Sequence, residues 1–326
     1  DSAGSFRQSW WIHLRSIMTE LTLYKSIYDN KTHKRMSFDS FAKFEDMLYT
    51  LSKKPLPDKQ SAMLMTPAIY LPDTTRANDN VVSWAGWAAV DVDVDAEQIL
   101  KELTKEYYYV CYSTASSTKE KPKFRLVFPL SNDVPADKIK HFWYALNKEL
   151  NDIGDPQTKD LSRMYYIPAT YAGADNFIFT NKGDVMNPNA IMLKHDYVEK
   201  TGGSFIDKLP PAIREQMLAH RRSVLTNTDI HWTSYHDCPF VNKKLVNEYR
   251  LISETGWYSK MYGIMLNIAG NALRKKYPIT ALEITTLCKE IDNETGQWYK
   301  NRAFVKEAER AIEYATADSP ASVYSF

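Results

Sequence analysis

The sequence predicts an α+β domain followed by a small all-α bundle. Between residues 81 and 168, short apolar and β-branched runs alternate with segments whose apolar residues recur at helical spacing. Beyond Asp237 the spacing is helical throughout. The stretch between these parts contains a Gly-Gly pair, a Pro-Pro pair and one short helical pattern, which is typical of a linker. The expected division is a first domain at 1–200, a linker at 201–236 and a helical domain at 237–326.

The first ninety residues predict a mixed α/β extension within the first domain. A strand is expected at 20–27, and a helix at 38–51, where apolar residues recur every three or four positions. The Pro-rich stretch 54–58 ends this helix, because proline cannot donate a backbone hydrogen bond. Residues 62–71 then return to an extended pattern.

From residue 81 the predicted order is strand, helix, two strands, helix and strand. The strands are expected at 87–94, 107–113, 124–130 and 164–168, and the two helices start at Asp95 and Pro135. Gln98 stands three residues after Asp95, in the position of a capping box. This order is the split βαβ arrangement of ferredoxin-like and RNA-recognition-motif folds.

Composition narrows the class of protein further. The 326 residues are 44% hydrophobic and 25% charged, as in ordinary soluble domains, and no apolar run approaches the ~20 residues of a membrane span. The 41 Lys and Arg nearly balance the 40 Asp and Glu, so a nucleic-acid site must be local. Cys111, Cys238 and Cys288 are odd in number and widely spaced, which favours a reducing cytoplasm over a disulfide framework.

Three segments carry candidate chemistry, and the first is the end of the strand at 87–94. Asp91 and Asp93 alternate along this strand, so they share one face about 7 Å apart. Two like charges there repel each other, and a divalent cation relieves the repulsion; hard oxygen ligands favour Mg²⁺ or Mn²⁺. The alternative is a strand end that enters a solvated turn. Replacing either aspartate by alanine is expected to leave the thermal transition intact or raised.

The second segment is the polar loop at 113–123 and the strand that it enters. Ser116, Ser117, Lys123 and Arg125 offer hydroxyls and cations, which suit a polyphosphate. Arg125 stands within an apolar strand and needs a partner if it is buried. The alternative is an ordinary solvated hairpin.

The third segment precedes the strand at 164–168. Asp155 or Asp160 is a candidate third metal ligand, and Arg163 is a candidate phosphate contact. Taken alone, this segment is an Asp-Pro turn before a strand. No zinc site is expected, because His231, His236 and Cys238 are unevenly spaced.

The three segments together, in this order, resemble the archaeo-eukaryotic primase superfamily. That family shows an apolar strand ending in Asp-x-Asp, then a small-polar loop entering a strand of the form His-φ-φ-φ-Pro-Leu, where φ is apolar. An Asp before an Arg-x-x-x-x-Pro-like strand comes later. The family's phosphate-binding histidine has no counterpart here: Arg125 stands in its place, and Ser117 is the other candidate position.

The variety that the chain most resembles is the primase half of phage and plasmid primase–helicases, over roughly residues 60–320. In that variety a small helical C-terminal domain follows the catalytic domain. Segments similar to that extension are Cys238-Pro-Phe-Val241, Trp257-Tyr258 and Trp298-Tyr299. Aromatic residues at helical spacing are either stacking platforms for bases or ordinary core. The chain has no P-loop, so a helicase domain would lie outside it.

The resemblance implies a DNA primase or primase-polymerase that uses two Mg²⁺ or Mn²⁺ ions. The implied metal ligands are Asp91, Asp93 and Asp155, with Asp160 as the alternate, and the implied triphosphate contacts are Ser116, Ser117, Lys123, Arg125 and Arg163. Single-stranded DNA and ribo- or deoxynucleoside triphosphates are the implied partners, with a replicative helicase, in a bacterial or phage-infected cytoplasm. Two alternatives stay open: a non-catalytic replication-origin or single-strand-binding protein, and a sugar-nucleotide transferase that uses Asp-x-Asp.

Overall fold

A computed structural model of the chain describes residues 18–93, 106–154, 160–198, 206–253 and 255–317. The strands are β1 (Thr19–Tyr24), β2 (Arg35–Phe38), β3 (Pro55–Leu56), β4 (Leu64–Thr66), β5 (Ala68–Tyr70), β6 (Val81–Trp84), β7 (Trp87–Val92), β8 (Tyr109–Ser113), β9 (Phe124–Pro129), β10 (Val134–Pro135), β11 (Tyr165–Tyr166), β12 (Thr170–Tyr171) and β13 (Ile178–Asn181). The helices are α1 (Phe41–Ser52), α2 (Ala136–Glu149), α3 (Pro188–Lys194), α4 (Pro211–Val224), α5 (Lys243–Arg250), α6 (Trp257–Arg274), α7 (Ala281–Asn293) and α8 (Phe304–Ala317).

The order of elements follows the sequence prediction closely. The predicted first strand and helix are present as β1 and α1, and the extended pattern after the prolines is present as β4 and β5. The predicted helix that starts at Asp95 lies outside the described residues. Within those residues, no helix combines the length and the apolar character that crossing a bilayer requires.

The central sheet contains β13, β8, β9 and β7 in that spatial order, and every pair in it is antiparallel. The adjacency of β8, β9 and β7 is the one that a ferredoxin-like order requires of its second, third and first strands. The predicted last strand at 164–168 differs from expectation. It shortens to β11, which pairs with β4 in a separate sheet, because Tyr165 is fully buried and its hydroxyl donates to the Ala89 carbonyl at 2.8 Å. Within the described residues the fold is mixed α/β, and the ferredoxin-like order stays a prediction.

Both faces of the central sheet are buried, and the alternation along β7 divides the core in two. Val90 and Val92 face a cluster that includes Phe142 of α2. Trp87 and Ala89 face a second cluster, to which α1 and Tyr165 contribute. A sheet buried on both sides explains the nearly continuous apolar run that the sequence shows here. By the same alternation, Asp91 belongs to the second face.

Helices α5 to α8 enclose a separate apolar cluster that runs from Trp232 to Ala311. The predicted capping box of α7 is present, with the Thr280 hydroxyl and the Glu283 carboxylate each accepting from the other's backbone N–H. Tyr299 is fully buried in this cluster, so it is core and offers no stacking surface.

Polar contacts hold the helical part against the first part of the chain. After β1, the Asn30 side-chain amide donates to the buried Glu283 carboxylate at 3.1 Å, and Lys31 Nζ donates to the Thr228 carbonyl at 2.7 Å. Helix α4, within the predicted linker, adds an ion pair of 2.9 Å between Arg214 and Asp79. The helical part is therefore docked on the first part through several elements.

Glu283→Ala should destabilise the protein by at least about 2 kcal/mol. The substitution leaves the Tyr277 hydroxyl and the Thr280 N–H without their acceptor and removes one of the two acceptors of the buried Asn30 amide. Each orphaned buried group costs about 1–3 kcal/mol. Glu248→Ala is the matched control, because it removes an exposed ion pair with Lys260 that is worth about 0–1 kcal/mol. Urea denaturation of both variants measures the difference, and equal losses would contradict the buried role of Glu283.

Candidate functional site

The carboxylate of Asp91 is bound by two arginines from distant parts of the chain. Asp91 lies near the end of β7, directly opposite Arg125 of β9. Arg125 Nε donates to Asp91 Oδ1 at 2.6 Å, and Arg163 Nη2 donates to Oδ2 at 2.7 Å. The side chains of Asp91, Arg125 and Arg163 are only 20%, 7% and 12% exposed. Each carboxylate oxygen thus has its own guanidinium partner in a largely buried site.

The opposite charges in this cluster keep its members ionised. Burial alone raises the pKa of Asp91, but the neighbouring Arg125 and Arg163 hold that pKa below its ordinary value. Burial likewise lowers the pKa of Arg125, whereas Asp91 outweighs that effect and raises it. All three groups are therefore ionised near neutral pH. A buried charge is tolerated only when it is paired, so Asp91 is what permits both guanidinium groups to lie here.

Aromatic side chains surround the two arginines and fix the direction of Arg125. Its Nη1 donates to the Tyr112 hydroxyl at 3.0 Å and to the Tyr166 carbonyl at 2.7 Å. The guanidinium carbons of Arg125 and Arg163 lie 4.8 and 5.5 Å from the centre of the Tyr165 ring, within cation–π range. Tyr112 and Tyr165 are not among the site residues that the sequence predicts. The available signal was the alternation within β8, but only the register of β8 against β9 places Tyr112 beside Arg125.

Asp93 is the solvent-facing member of the predicted pair. It follows the last residue of β7, and its side chain is 63% exposed. Lys123, which precedes β9, brings its Nζ to 3.7 Å from Asp93 Oδ1. This contact is a loose, partly solvated ion pair, in contrast to the tight pairs of Asp91.

The structure distributes the other predicted residues differently. Ser117 is fully buried, and its hydroxyl accepts from the backbone N–H of Lys123 at 3.1 Å, so it braces the loop. Ser116 is exposed on the same loop. Asp160 accepts from the backbone N–H of Ser162 at 3.0 Å, and burial raises its pKa. The sequence prediction did not anticipate these local structural contacts of Ser117 and Asp160.

The carboxylates fit a magnesium or manganese ion in part. Asp91 and Asp93 place hard oxygen ligands at one end of β7, and each oxygen of Asp91 has lone-pair capacity beyond its arginine. Among the residues that the structure describes, no three His, Cys, Asp or Glu side chains are grouped to hold a metal ion. The predicted third ligand, Asp155, lies outside those residues. The described part of the chain therefore contains Asp91, Asp93 and the alternate ligand Asp160, which are not grouped as one three-ligand site.

These features define a mixed α/β protein with an ionised acid–base cluster at the end of its central sheet. Residues 69–203, which include all three motif segments, match the family model described as the VapE N-terminal domain. The motif segments that indicate a resemblance to phage and plasmid primases all lie within this match, which covers less than half of the chain. None of the curated proteins compared matches the chain.

Two solved structures of primases are similar to the chain at low sequence identity. One is the AEP domain of the primase-polymerase of cyanophage S-2L, with 11% identity over 55% of this chain and 88% of that chain, at a TM-score of 0.31. The other is the primase RepB′, with 12% identity over 92% of this chain and 89% of that chain, at a TM-score of 0.27.

The expected repulsion between Asp91 and Asp93 does not govern stability here, because two arginines neutralise Asp91. The ion pairs of Asp91 therefore lead to the opposite expectation for Asp91→Ala. This substitution should lower the free energy of unfolding by roughly 3–5 kcal/mol, since it strands two buried guanidinium groups. Asp93→Ala removes a mostly exposed charge and should cost less than about 1 kcal/mol.

Thermal and urea denaturation of the two variants beside the wild type measure this contrast. The pH dependence gives a second check. The pKa of Asp91 is lowered on folding, so its contribution is present above its unfolded-state pKa and is lost as the pH falls through the folded-state value. Equal tolerance of both substitutions would mean that the arginines are not held by Asp91.

Proposed function

We propose that this chain is a DNA primase or primase-polymerase that joins nucleotides on a single-stranded DNA template. One observation carries the proposal: side chains from all three motif segments meet at one end of the central sheet. Asp91 of the first segment contacts Arg125 of the second and Arg163 of the third, which are 34 and 72 residues away in sequence. The order of motifs along a chain does not by itself require such a meeting, whereas a shared site does.

The charge balance of the cluster supports a polyphosphate substrate. Lys123, Arg125 and Arg163 supply three cations against the two carboxylates of Asp91 and Asp93. Arg163 also has a donor to offer, because its Nη1 is buried and has no hydrogen-bond partner among the described residues. Guanidinium groups match phosphate oxygens in geometry and charge. A nucleoside triphosphate therefore suits this end of the sheet.

In this proposal Asp91, Asp93 and Asp155 hold Mg²⁺ or Mn²⁺. When bound, such ions activate the attacking 3′-hydroxyl and offset charge on the leaving pyrophosphate. The remaining tasks belong to the protein's own cations. Arg163 and Lys123 bind the triphosphate and orient its α-phosphorus toward the hydroxyl, so that the reaction loses little entropy in its transition state.

Asp93→Asn should reduce template-dependent nucleotide incorporation by at least about 100-fold, because a carboxylate that holds a metal ion contributes several kcal/mol to the rate. Asp93 is the informative position, because its side chain is mostly exposed. Its substitution should therefore change activity without a large change in the free energy of unfolding. The assay incubates the full chain with single-stranded DNA, Mg²⁺ or Mn²⁺ and labelled nucleotides, and scores dinucleotide and longer products. Asp137→Asn is the matched control, an exposed aspartate in the first turn of α2.

Other outcomes of the same assay would replace the proposal. Single-strand binding without any product under either metal would favour a non-catalytic replication protein. Binding of a sugar nucleotide in preference to free nucleoside triphosphates would favour an Asp-x-Asp transferase. Unchanged activity of Asp93→Asn would show that this carboxylate is not a metal ligand.

We further propose that the helical part of the chain holds the template during primer synthesis. The exposed guanidinium of Arg302 lies 4.3 Å from the ring centre of Tyr258 and 5.8 Å from that of Trp257, both of which are half-buried. A cation next to partly accessible aromatic rings is the combination that single-stranded nucleic acid binds. Synthesis of a primer needs such extra surface more than extension does, because no duplex yet holds the template.

Arg302→Gln should weaken single-strand binding and lower the slope of log affinity against log salt by about 1, since one phosphate contact is lost. Initiation should fall with it, while extension of a supplied primer is retained. Lys243→Gln, an exposed cation on α5, serves as the control. Full-length variants are preferable to truncation at residue 200, because truncation uncovers Asn30 and its neighbours. Normal initiation by Arg302→Gln would show that this surface does not hold the template.

A further inference from the structure

We propose that Arg163 is a latch on Asp91 that keeps the cation site closed until a nucleoside triphosphate binds. The inference rests on the proposed function, since it assumes that the site takes a triphosphate and a divalent cation. It adds an order of events and assigns different roles to the two arginines. Arg163 is the member that moves, and Arg125 is the member that stays.

Asp91 is already paired with both arginines. Both of its oxygens accept short, charge-assisted hydrogen bonds, from Arg125 at 2.6 Å and from Arg163 at 2.7 Å. A divalent cation at this carboxylate would lie beside two guanidinium groups in a largely buried site, where repulsion is weakly screened. In this arrangement Asp91 is a poor ligand for a cation.

The two arginines differ in how many hydrogen bonds hold them. Arg125 is anchored by three partners, because it also donates to the Tyr112 hydroxyl and the Tyr166 carbonyl. Within the described residues the guanidinium of Arg163 donates a hydrogen bond to Asp91, and its Nη1 is buried without a hydrogen-bond partner. If Arg163 turns away from Asp91, its side chain gives up fewer hydrogen bonds than Arg125 would. Its unpaired Nη1 can then donate to a new acceptor.

A triphosphate competes with Asp91 for the guanidinium of Arg163. Its oxygens carry more negative charge than one carboxylate and can accept from both terminal nitrogens of Arg163. When Arg163 turns to the phosphate, Oδ2 of Asp91 is freed and one positive charge no longer opposes a cation there. Triphosphate binding thus raises the affinity of the site for the cation, and by linkage the cation raises the affinity for the triphosphate.

The decisive measurement is the affinity for Mn²⁺ alone, read from the electron paramagnetic resonance signal of free Mn²⁺ during titration of the full chain. Removal of the latch should open the site without nucleotide, so Arg163→Gln should bind Mn²⁺ at least about tenfold more tightly than the wild type. Arg163→Lys keeps the charge and should bind as weakly as the wild type. Arg35→Gln is the matched control, because Arg35 pairs with Glu20 on the surface.

A second variant tests whether the freed carboxylate is the ligand. Adding Asp91→Asn to Arg163→Gln should remove the gain in Mn²⁺ affinity, with folding checked by circular dichroism. Equal or weaker Mn²⁺ binding by Arg163→Gln would overturn the latch, as would a gain that survives Asp91→Asn. These results are separable from the proposed function. Template-dependent products without the Mn²⁺ effect would refute the latch alone, and the Mn²⁺ effect without products would refute the primase assignment alone.

Discussion

The paired charges of Asp91, Arg125 and Arg163 tie three distant parts of the chain to one end of the central sheet. Each partner is largely buried, so each charge is tolerated because an opposite charge lies beside it. The residues around the cluster pack against these paired charges. Tyr112 and Tyr165 line the arginines, and β11 pairs with β4 while Tyr165 bonds to the edge of β7.

In this cluster, the arrangement that favours stability differs from the one that favours metal binding. A carboxylate held by two cations stabilises the fold but is poorly disposed toward a metal ion, whereas a free carboxylate would bind the ion and leave the arginines unpaired. Asp91 is largely buried and paired with two arginines, which favours stability. Asp93 is mostly exposed, which leaves its carboxylate accessible to an ion. Two residues that look equivalent in an Asp-x-Asp motif therefore differ in what their loss does to the protein.

The docking of the helical part extends this dependence beyond the site. Arg76 donates to the Met164 sulfur at 2.9 Å and to the Ile27 carbonyl at 3.1 Å, while its backbone N–H donates to the Asn30 carbonyl. Asn30 in turn contacts Glu283 of the helical part. A continuous set of polar contacts thus runs from the residue next to Arg163 to the capping box of α7.

The sequence by itself determined the elements, their order and the motif residues that carry charge. Apolar periodicity located β7, β9 and α2, and the capping box located α7, because these signals depend on neighbours in the chain. Asp91, Arg125 and Arg163 were identified as candidates from residue type and order. The likeness to phage and plasmid primases also followed from that order.

Only the tertiary structure decided which of these residues touch. The pairing of Asp91 with Arg125 depends on the register of β7 against β9, and the approach of Arg163 depends on β11 joining a different sheet. Strand register and sheet membership are set by packing between residues far apart in sequence, which local patterns do not encode. For that reason the sequence predicted repulsion between Asp91 and Asp93, whereas long-range packing pairs Asp91 with two cations and leaves Asp93 in solvent.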